Sequence, residues 1–154
     1  MLEQQTLKFV NKSPNEDPFF KCKNDSGFDL RAWVQDDDCI VLSPMKRTLV
    51  HTGLYFSLPE NTEIQVRSRS GLSLKDGIIV LNTPGTVDQS YTGEVCVILI
   101  NLSEQDFVIH TGDRIAQAVL MPVYNQPLVD LVPVDKISDD TERGTGGFGH
   151  TGVK

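Results

Sequence analysis

The sequence predicts an all-β domain. Three observations carry this reading: apolar and polar residues alternate over short stretches, turn-forming Gly, Pro, Asn and Asp separate those stretches, and no helical pattern of three or more turns emerges. The alternation is strictest over residues 62–69, where Ile64 and Val66 point one way and Glu63, Gln65 and Arg67 the other. Further strand candidates are 7–10, 28–34, 39–42, 47–52, 54–58, 78–81, 94–101, 106–110 and 115–122. Residues 95–100 and 118–123 are apolar on both faces, so their second face needs cover from another sheet or another subunit. A short helical turn near 70–75 is weakly signalled. Many short strands at regular spacing suggest a sandwich, jelly roll or barrel.

With 154 residues, 39% hydrophobic and 23% charged, the chain suits one soluble globular domain with a real core. Its net charge of −7, from 14 Lys+Arg and 21 Asp+Glu, argues against general nucleic-acid binding. A few local cations still allow a small anionic ligand. Cys22, Cys39 and Cys96 make an odd set without CxxC spacing, which predicts neither a disulfide framework nor a zinc site. Cys96 reads as a core residue, and the simplest setting is a reducing compartment. Neither a signal pattern nor a membrane-spanning apolar run is present, so the expected location is cytoplasmic, or nuclear in a eukaryotic host. The acidic run 36–38 reads as a solvated turn.

After Tyr124 the character changes. Pro127 and Pro133 interrupt the chain, and the segment Thr141-Glu-Arg-Gly-Thr-Gly-Gly-Phe-Gly-His-Thr-Gly152 has five glycines and one apolar anchor, Phe148. This divides the chain into a β domain, 1–135, and a flexible Gly-rich C-terminal arm, 136–154. Composition alone slightly favours a disordered tail. The alternative is a lid that orders on a ligand, with amides cradling anionic groups, Arg143 supplying charge and Phe148 stacking.

Four further clusters punctuate the strands. In Ser26-Gly-Phe-Asp-Leu-Arg-Ala32, Asp29 is either an outward strand carboxylate or a metal-side acid. Arg67-Ser-Arg-Ser-Gly-Leu72 offers forked guanidinium donors, hydroxyls and a glycine that admits close approach, which together suit phosphate. Asn82-Thr-Pro-Gly-Thr-Val-Asp-Gln-Ser-Tyr-Thr-Gly-Glu94 reads as a hairpin with its turn at Pro84-Gly85 and a return strand from Gly93, displaying Asp88 and Tyr91. In Gly112-Asp-Arg-Ile-Ala-Gln117, Arg114 can pair with a nearby acid and Gln117 can donate to a ligand. Taken singly, each cluster is better explained by ordinary turns and surfaces.

Taken together, the five segments resemble, in order and spacing, the five motifs of the trimeric dUTPase family, from about Ser26 to Gly152. The third motif and the Arg143-Gly-Thr-Gly-Gly-Phe-Gly149 tail are the most specific. The resemblance implies a jelly-roll-like β-barrel subunit, a homotrimer with active sites shared between chains, and an arm that closes over a neighbour's site. It implies hydrolysis of dUTP to dUMP and pyrophosphate, which keeps uracil out of DNA and supplies dUMP for thymidylate synthesis. Asp88 would be the catalytic carboxylate that activates water against the α-phosphorus. Mg²⁺ would neutralise the triphosphate, held by Asp29 through water. Arg69, Ser70, Gly71 and Gln117 would bind phosphate. Asn82, with the backbone of Gly85 and Val87, would read the uracil edge, and Tyr91 would pack on the deoxyribose and exclude a 2′-hydroxyl. Arg143 and Phe148 would form the γ-phosphate clamp and the uracil lid, with Gly149, His150 and Thr151 adding phosphate contacts. Ser68 stands where the family often has Pro, Ser90 where a second acid is frequent, and His150 where Ser is frequent.

Two other readings remain. A dCTP deaminase of the same fold would need a glutamate base, and Glu94 is the tempting acid; following Gly93 at a strand start, it reads better as structural. A dUTP-responsive binding or signalling module would use the same motifs as a switch. His51, His110 and Arg67 receive no functional role from the sequence, and structural roles are expected for the two histidines.

Overall fold

A computed structural model describes residues 4–126, 128–138 and 141–147. Its strands are β1 (Lys8–Asn11), β2 (Phe28–Arg31), β3 (Ile40–Leu42), β4 (Arg47–Val50), β5 (Leu54–Ser57), β6 (Thr62–Arg67), β7 (Ile78–Val80), β8 (Gly85–Val87), β9 (Val97–Asn101), β10 (Phe107–Ile109) and β11 (Arg114–Pro122). One short helix, α1 (Ser70–Asp76), joins β6 to β7. Every strand segment expected from the alternation overlaps a strand, with ends that differ by up to a few residues. The chain is all-β, as expected, and among the described residues no helix is long and apolar enough to cross a membrane.

Pairing is antiparallel and largely non-local. One sheet has the order β2-β11-β6-β8, another β4-β9-β7, and β1-β5 and β10-β3 form two-stranded pairs. The first sheet positions the site. Its central strand β11 sets Gln117 opposite Asp29 of β2 and, on its other side, opposite Arg67 of β6. One row of polar side chains therefore crosses three strands. The next row, Phe28, Ala118 and Val66, is buried. Period-two alternation thus sorts one face of the sheet into core and the other into site.

The core is mainly aliphatic, with Leu30, Ile64, Ile78, Leu99, Ile109 and Ile115 almost wholly shielded, and includes the contacting rings of Phe28 and Phe56. Asn101 is a buried amide with its needs met: it donates to the carbonyls of Leu42 and Gln105 and accepts from the Ser103 amide.

Three local features depart from the expectations. Gly85 is not a turn residue but the first residue of β8, paired with Val66; the turn lies just before it, around the cis Thr83–Pro84 bond. The return strand begins at Val97 rather than Gly93, and Glu94 makes only an isolated bridge to Tyr55. Cys96 is half-buried rather than core.

The two apolar stretches also behave differently. Ala118 and Val119 are both buried, so this part of β11 is covered on both sides. Along 95–100 only Val95, Val97 and Leu99 are buried, while Cys96, Ile98 and Ile100 are half-exposed. Leu49, opposite Ile98, is 51% exposed, so this face of the β4-β9-β7 sheet carries an uncovered apolar strip.

The chain divides into two compact units, Met1–Val123 and Tyr124–Lys154. The second unit contains turns but no strand among its described residues, and its Leu131, Val132 and Ile137 side chains are exposed.

Candidate active site

Asp29 is the organising carboxylate. The register puts it beside the end of β6 and the start of β11, where two arginines reach it. Arg69 donates from Nε to Asp29 Oδ1 at 2.9 Å, and Arg114 donates from Nη1 to Oδ2 at 3.2 Å. Arg69 also donates from Nη1 to the Arg114 carbonyl at 3.0 Å. An anion between two cations fixes both guanidinium groups at a cleft mouth, where their remaining donors are free for phosphate oxygens.

These groups line a cleft of about 680 Å³ together with Arg31 and Gln117, and residues from the 13–27 segment form its other side. The lining sets Lys21, Arg31, Arg69 and Arg114 against Glu16, Asp17, Asp25 and Asp29, with Arg31 paired to Glu16, so the cations free to meet an anion are local to Arg69 and Arg114.

Gln117 donates from Nε2 to the Ser68 carbonyl at 3.0 Å. Ser68 in turn accepts the Val80 amide on its hydroxyl at 2.9 Å, which ties the end of β6 to β7. The hydroxyl does by hydrogen bonding what a ring would do by restricting the backbone. Ser68, one of the two hydroxyls read as suiting phosphate, is thus engaged within the fold, and only the fold reveals its partners.

Ser70 and Gly71 open α1 and are exposed. The helix is capped at its far end by Gly77 in the left-handed region, at φ 66°. Gly71 is different: a Cβ there would meet nothing within 4 Å. The fold does not require that glycine, whereas a ligand lying against the backbone would.

The 82–91 segment is displayed outward. Asn82, Asp88 and Tyr91 are exposed, and the Asp88 carboxylate takes no hydrogen bond from the described residues. The Asp88 carbonyl accepts the Tyr91 amide at 3.0 Å, so the acid and the ring flank one tight turn. Asn82 is held against Gly85, where a Cβ would come within 3.1 Å of its amide nitrogen. The Tyr91 ring lies across Gly93, and its hydroxyl donates to the Glu94 carbonyl at 2.9 Å. Val87 is buried, which leaves its backbone as the part able to meet a ligand. Neither Asn82, Asp88 nor Tyr91 lines the arginine cleft. The structure therefore brings Asp29, Arg69 and Gln117 together and leaves the Asn82–Asp88–Tyr91 group on a separate surface.

Arg143 is exposed and donates from Nε to the Gly146 carbonyl at 2.9 Å. Phe148, Gly149, His150 and Thr151 lie outside the described residues.

Glu94 has the structural work expected of it. Its Oε1 accepts the amides of Thr52 and Gly53, at 3.1 and 2.8 Å, and its Oε2 lies 2.9 Å from His51 Nδ1. Burial pushes the Glu94 carboxyl up, but the His51 and backbone hydrogen bonds and the His51 charge outweigh it and leave the group below its usual 4.5. A carboxyl with a lowered folded value adds stability above its unfolded value and loses it as pH falls through the folded one. Glu94→Gln should therefore lower unfolding free energy by about 1.5–3 kcal/mol at neutral pH. The difference should shrink below pH 4.5. Urea unfolding of both proteins across that range checks it, and a pH-independent gap would remove the charge from the explanation. His110 is likewise local: its amide donates to Asp113 Oδ2 at 2.8 Å. Arg67 donates twice to Gln65 Oε1, and Gln65 donates to Glu63, forming a polar ladder along β6.

Comparison with known proteins adds a further finding. A family profile described as dUTPase matches residues 14–152. A Caulobacter vibrioides protein named deoxyuridine 5'-triphosphate nucleotidohydrolase is 52% identical over 150 residues, covering 96% of this chain and 94% of the relative. A Finegoldia magna protein of the same name is 45% identical over 146 residues, covering 95% and 98%. Among solved structures, Staphylococcus bacteriophage 80alpha dUTPase with dUPNHPP superposes with a TM-score of 0.81 at 25% identity, covering 97% of this chain and 100% of that one. The dUTPase of Staphylococcus aureus phage phi11 gives 0.75 at 22% identity, covering 86% and 97%.

Proposed function

We propose that this chain, which belongs to the dUTPase family, hydrolyses dUTP to dUMP and pyrophosphate by water attack on the α-phosphorus. The observation that carries the reading is the arginine cleft organised by Asp29, combined with an outward segment that pairs an unencumbered carboxylate, Asp88, with an amide and an aromatic ring. The solved phage relative named with dUPNHPP supports a dUTP-like ligand.

In this mechanism the triphosphate runs from the cleft, with oxygens on Arg69 and Gln117, to the start of α1, where Ser70 and the Gly71 amide meet it. Asn82 and the backbone of Gly85 and Val87 hydrogen-bond the uracil edge. Tyr91 stacks on the deoxyribose and leaves no space for a 2′-hydroxyl. Asp88 accepts a proton from a water aligned with the α-phosphorus, and pyrophosphate leaves. Arg143 and Phe148 of the proposed arm, 136–154, clamp the γ-phosphate and cover the base, with Gly149, His150 and Thr151 alongside.

The family reading implies a divalent cation, and we assign it as Mg²⁺. Asp29 fits it: each carboxylate oxygen holds one guanidinium contact and the side chain remains 30% exposed, leaving lone pairs for water. A single hard carboxylate beside phosphate oxygens suits an ion that keeps much of its water shell. When bound, the ion would neutralise phosphate charge and fix the triphosphate's shape, with Asp29 holding it through water.

We also propose a homotrimer with shared sites. The separation of the 82–91 surface from the cleft supports it, as does the uncovered strip of Leu49, Ile98 and Ile100. The test is complementation. Chains carrying Asp88→Asn and chains carrying Arg69→Ala, each inactive alone, should recover up to about a quarter of wild-type activity when co-expressed as mixed trimers. Complete inactivity of the mixture would place each site within one chain.

Gly71→Ala separates ligand contact from folding. With open space around it and a helical backbone, the alanine should leave stability unchanged or raise it by about 0.5–1 kcal/mol. The dissociation constant for a non-hydrolysable dUTP analogue should nevertheless rise. Unchanged affinity would remove the Gly71 backbone from the phosphate cradle.

A further inference from the structure

We propose that His51, Glu94 and Cys96 form a second metal site, one that takes Zn²⁺ or a similar borderline ion and rejects Mg²⁺. Their ligand atoms all lie within 4.8 Å of one another. The sheet register creates the cluster. Strands β4 and β9 pair Val50 with Val97, both buried. One step further along the ladder, His51 and Cys96 point to the opposite face, with Cys96 Sγ 3.6 Å from His51 Nδ1. Glu94 Oε2 approaches the same nitrogen at 2.9 Å. Nothing in the cysteine spacing predicts this, because the ligands come from chain segments some forty residues apart.

The Cys96 sulfur also faces the Glu94 carboxylate, so all three side chains converge on one point. Tetrahedral zinc, with Zn–N about 2.0–2.1 Å and Zn–S about 2.3 Å, sets its nitrogen and sulfur ligands roughly 3.5 Å apart. The His51–Cys96 edge already has that length. Glu94 is pre-oriented by the Thr52 and Gly53 amides on its other oxygen, the kind of support that fixes a ligating carboxylate.

Binding is simple coordination. Sulfur, nitrogen and oxygen each donate a lone pair, and the Cys96 thiol proton, with any proton on His51 Nδ1, passes to solvent. No electron is transferred. A thiolate, an imidazole and a carboxylate suit zinc or cobalt, whereas magnesium prefers oxygen ligands in an octahedron. None of the three residues lines the arginine cleft, so the site is separate from the one proposed for Mg²⁺. It adjoins the sugar-side segment, since Tyr91 donates to the Glu94 carbonyl.

Cobalt is the probe. The full-length protein, stripped of transition metals and held in excess magnesium, is titrated with Co²⁺. A thiolate-to-cobalt absorption in the near ultraviolet should rise to one equivalent per chain and resist further magnesium. It should be lost in Cys96→Ser and kept in a Cys22→Ser, Cys39→Ser double variant. Should Cys96→Ser fail to fold, His51→Asn, at a half-exposed position, should lose the band instead. Absence of the band in the wild-type protein, its persistence in both variants, or its loss with Cys22 and Cys39 would overturn the proposal.

Discussion

Replacing Asp88 with asparagine should abolish turnover while leaving nucleotide binding intact. Asparagine keeps the shape and a hydrogen-bonding oxygen but cannot accept the proton from water. The carboxylate is exposed and takes no hydrogen bond from the described residues, so its removal leaves no partner stranded and the fold should be unaffected. General-base catalysis contributes roughly 10²–10⁴-fold, so kcat should fall by at least two orders of magnitude. Binding of a non-hydrolysable analogue, followed by calorimetry, should change little, because Arg69, Gln117 and Asn82 remain. Near-normal turnover would remove Asp88 from the proposed role. Lost binding with lost turnover would make it a positioning group. The same variant also tests the switch reading: a partner that binds it normally does not need catalysis.

The second large effect is expected from removing the arm. A chain ending before Glu142 loses Arg143, Phe148 and the glycine-rich backbone between them. Each preorganised donor aimed at developing charge is worth about 2.7–4 kcal/mol of barrier, so losing the clamp should lower kcat roughly 10²–10³-fold. The Met1–Val123 unit holds every named strand, so the truncated chain should fold and assemble as before. Steady-state kinetics and light scattering on one preparation check both halves. Full activity would reduce the segment to a tail; a monomer would make it an assembly element.

The strands were legible because half-buried antiparallel strands write their burial into period-two alternation, as residues 62–69 do. β8 was missed for an equally physical reason. Pro84-Gly85 carries turn chemistry, and what makes residues 85–87 a strand is pairing with β6, a long-range contact that local composition does not encode. The helix α1 was faint because it buries no residue and has no side-chain N-cap. Motif order singles out Asp29, Arg69 and Gln117, which the fold brings together, but their couplings could not be read from it. That Asp29 holds Arg69 and Arg114 follows from the β2-β11-β6 register, and that Ser68 braces Gln117 follows from the path of the chain after β6. Cys96 looked like core because its neighbours are apolar; it lies instead on the half-exposed face of β9, beside His51 and Glu94.

The relatives named for dUTP weigh against the deaminase reading, and the multiple engagements of Glu94 oppose its use as a base. The central claim is the chemical step, and running the reaction in heavy-oxygen water tests it most directly. Purified protein, Mg²⁺ and dUTP are incubated in that water, and both products are weighed by mass spectrometry. Attack on the α-phosphorus predicts one heavy oxygen in dUMP and none in pyrophosphate. Label in pyrophosphate, or release of dUDP and orthophosphate, would contradict the account and place the activated water at a different phosphorus.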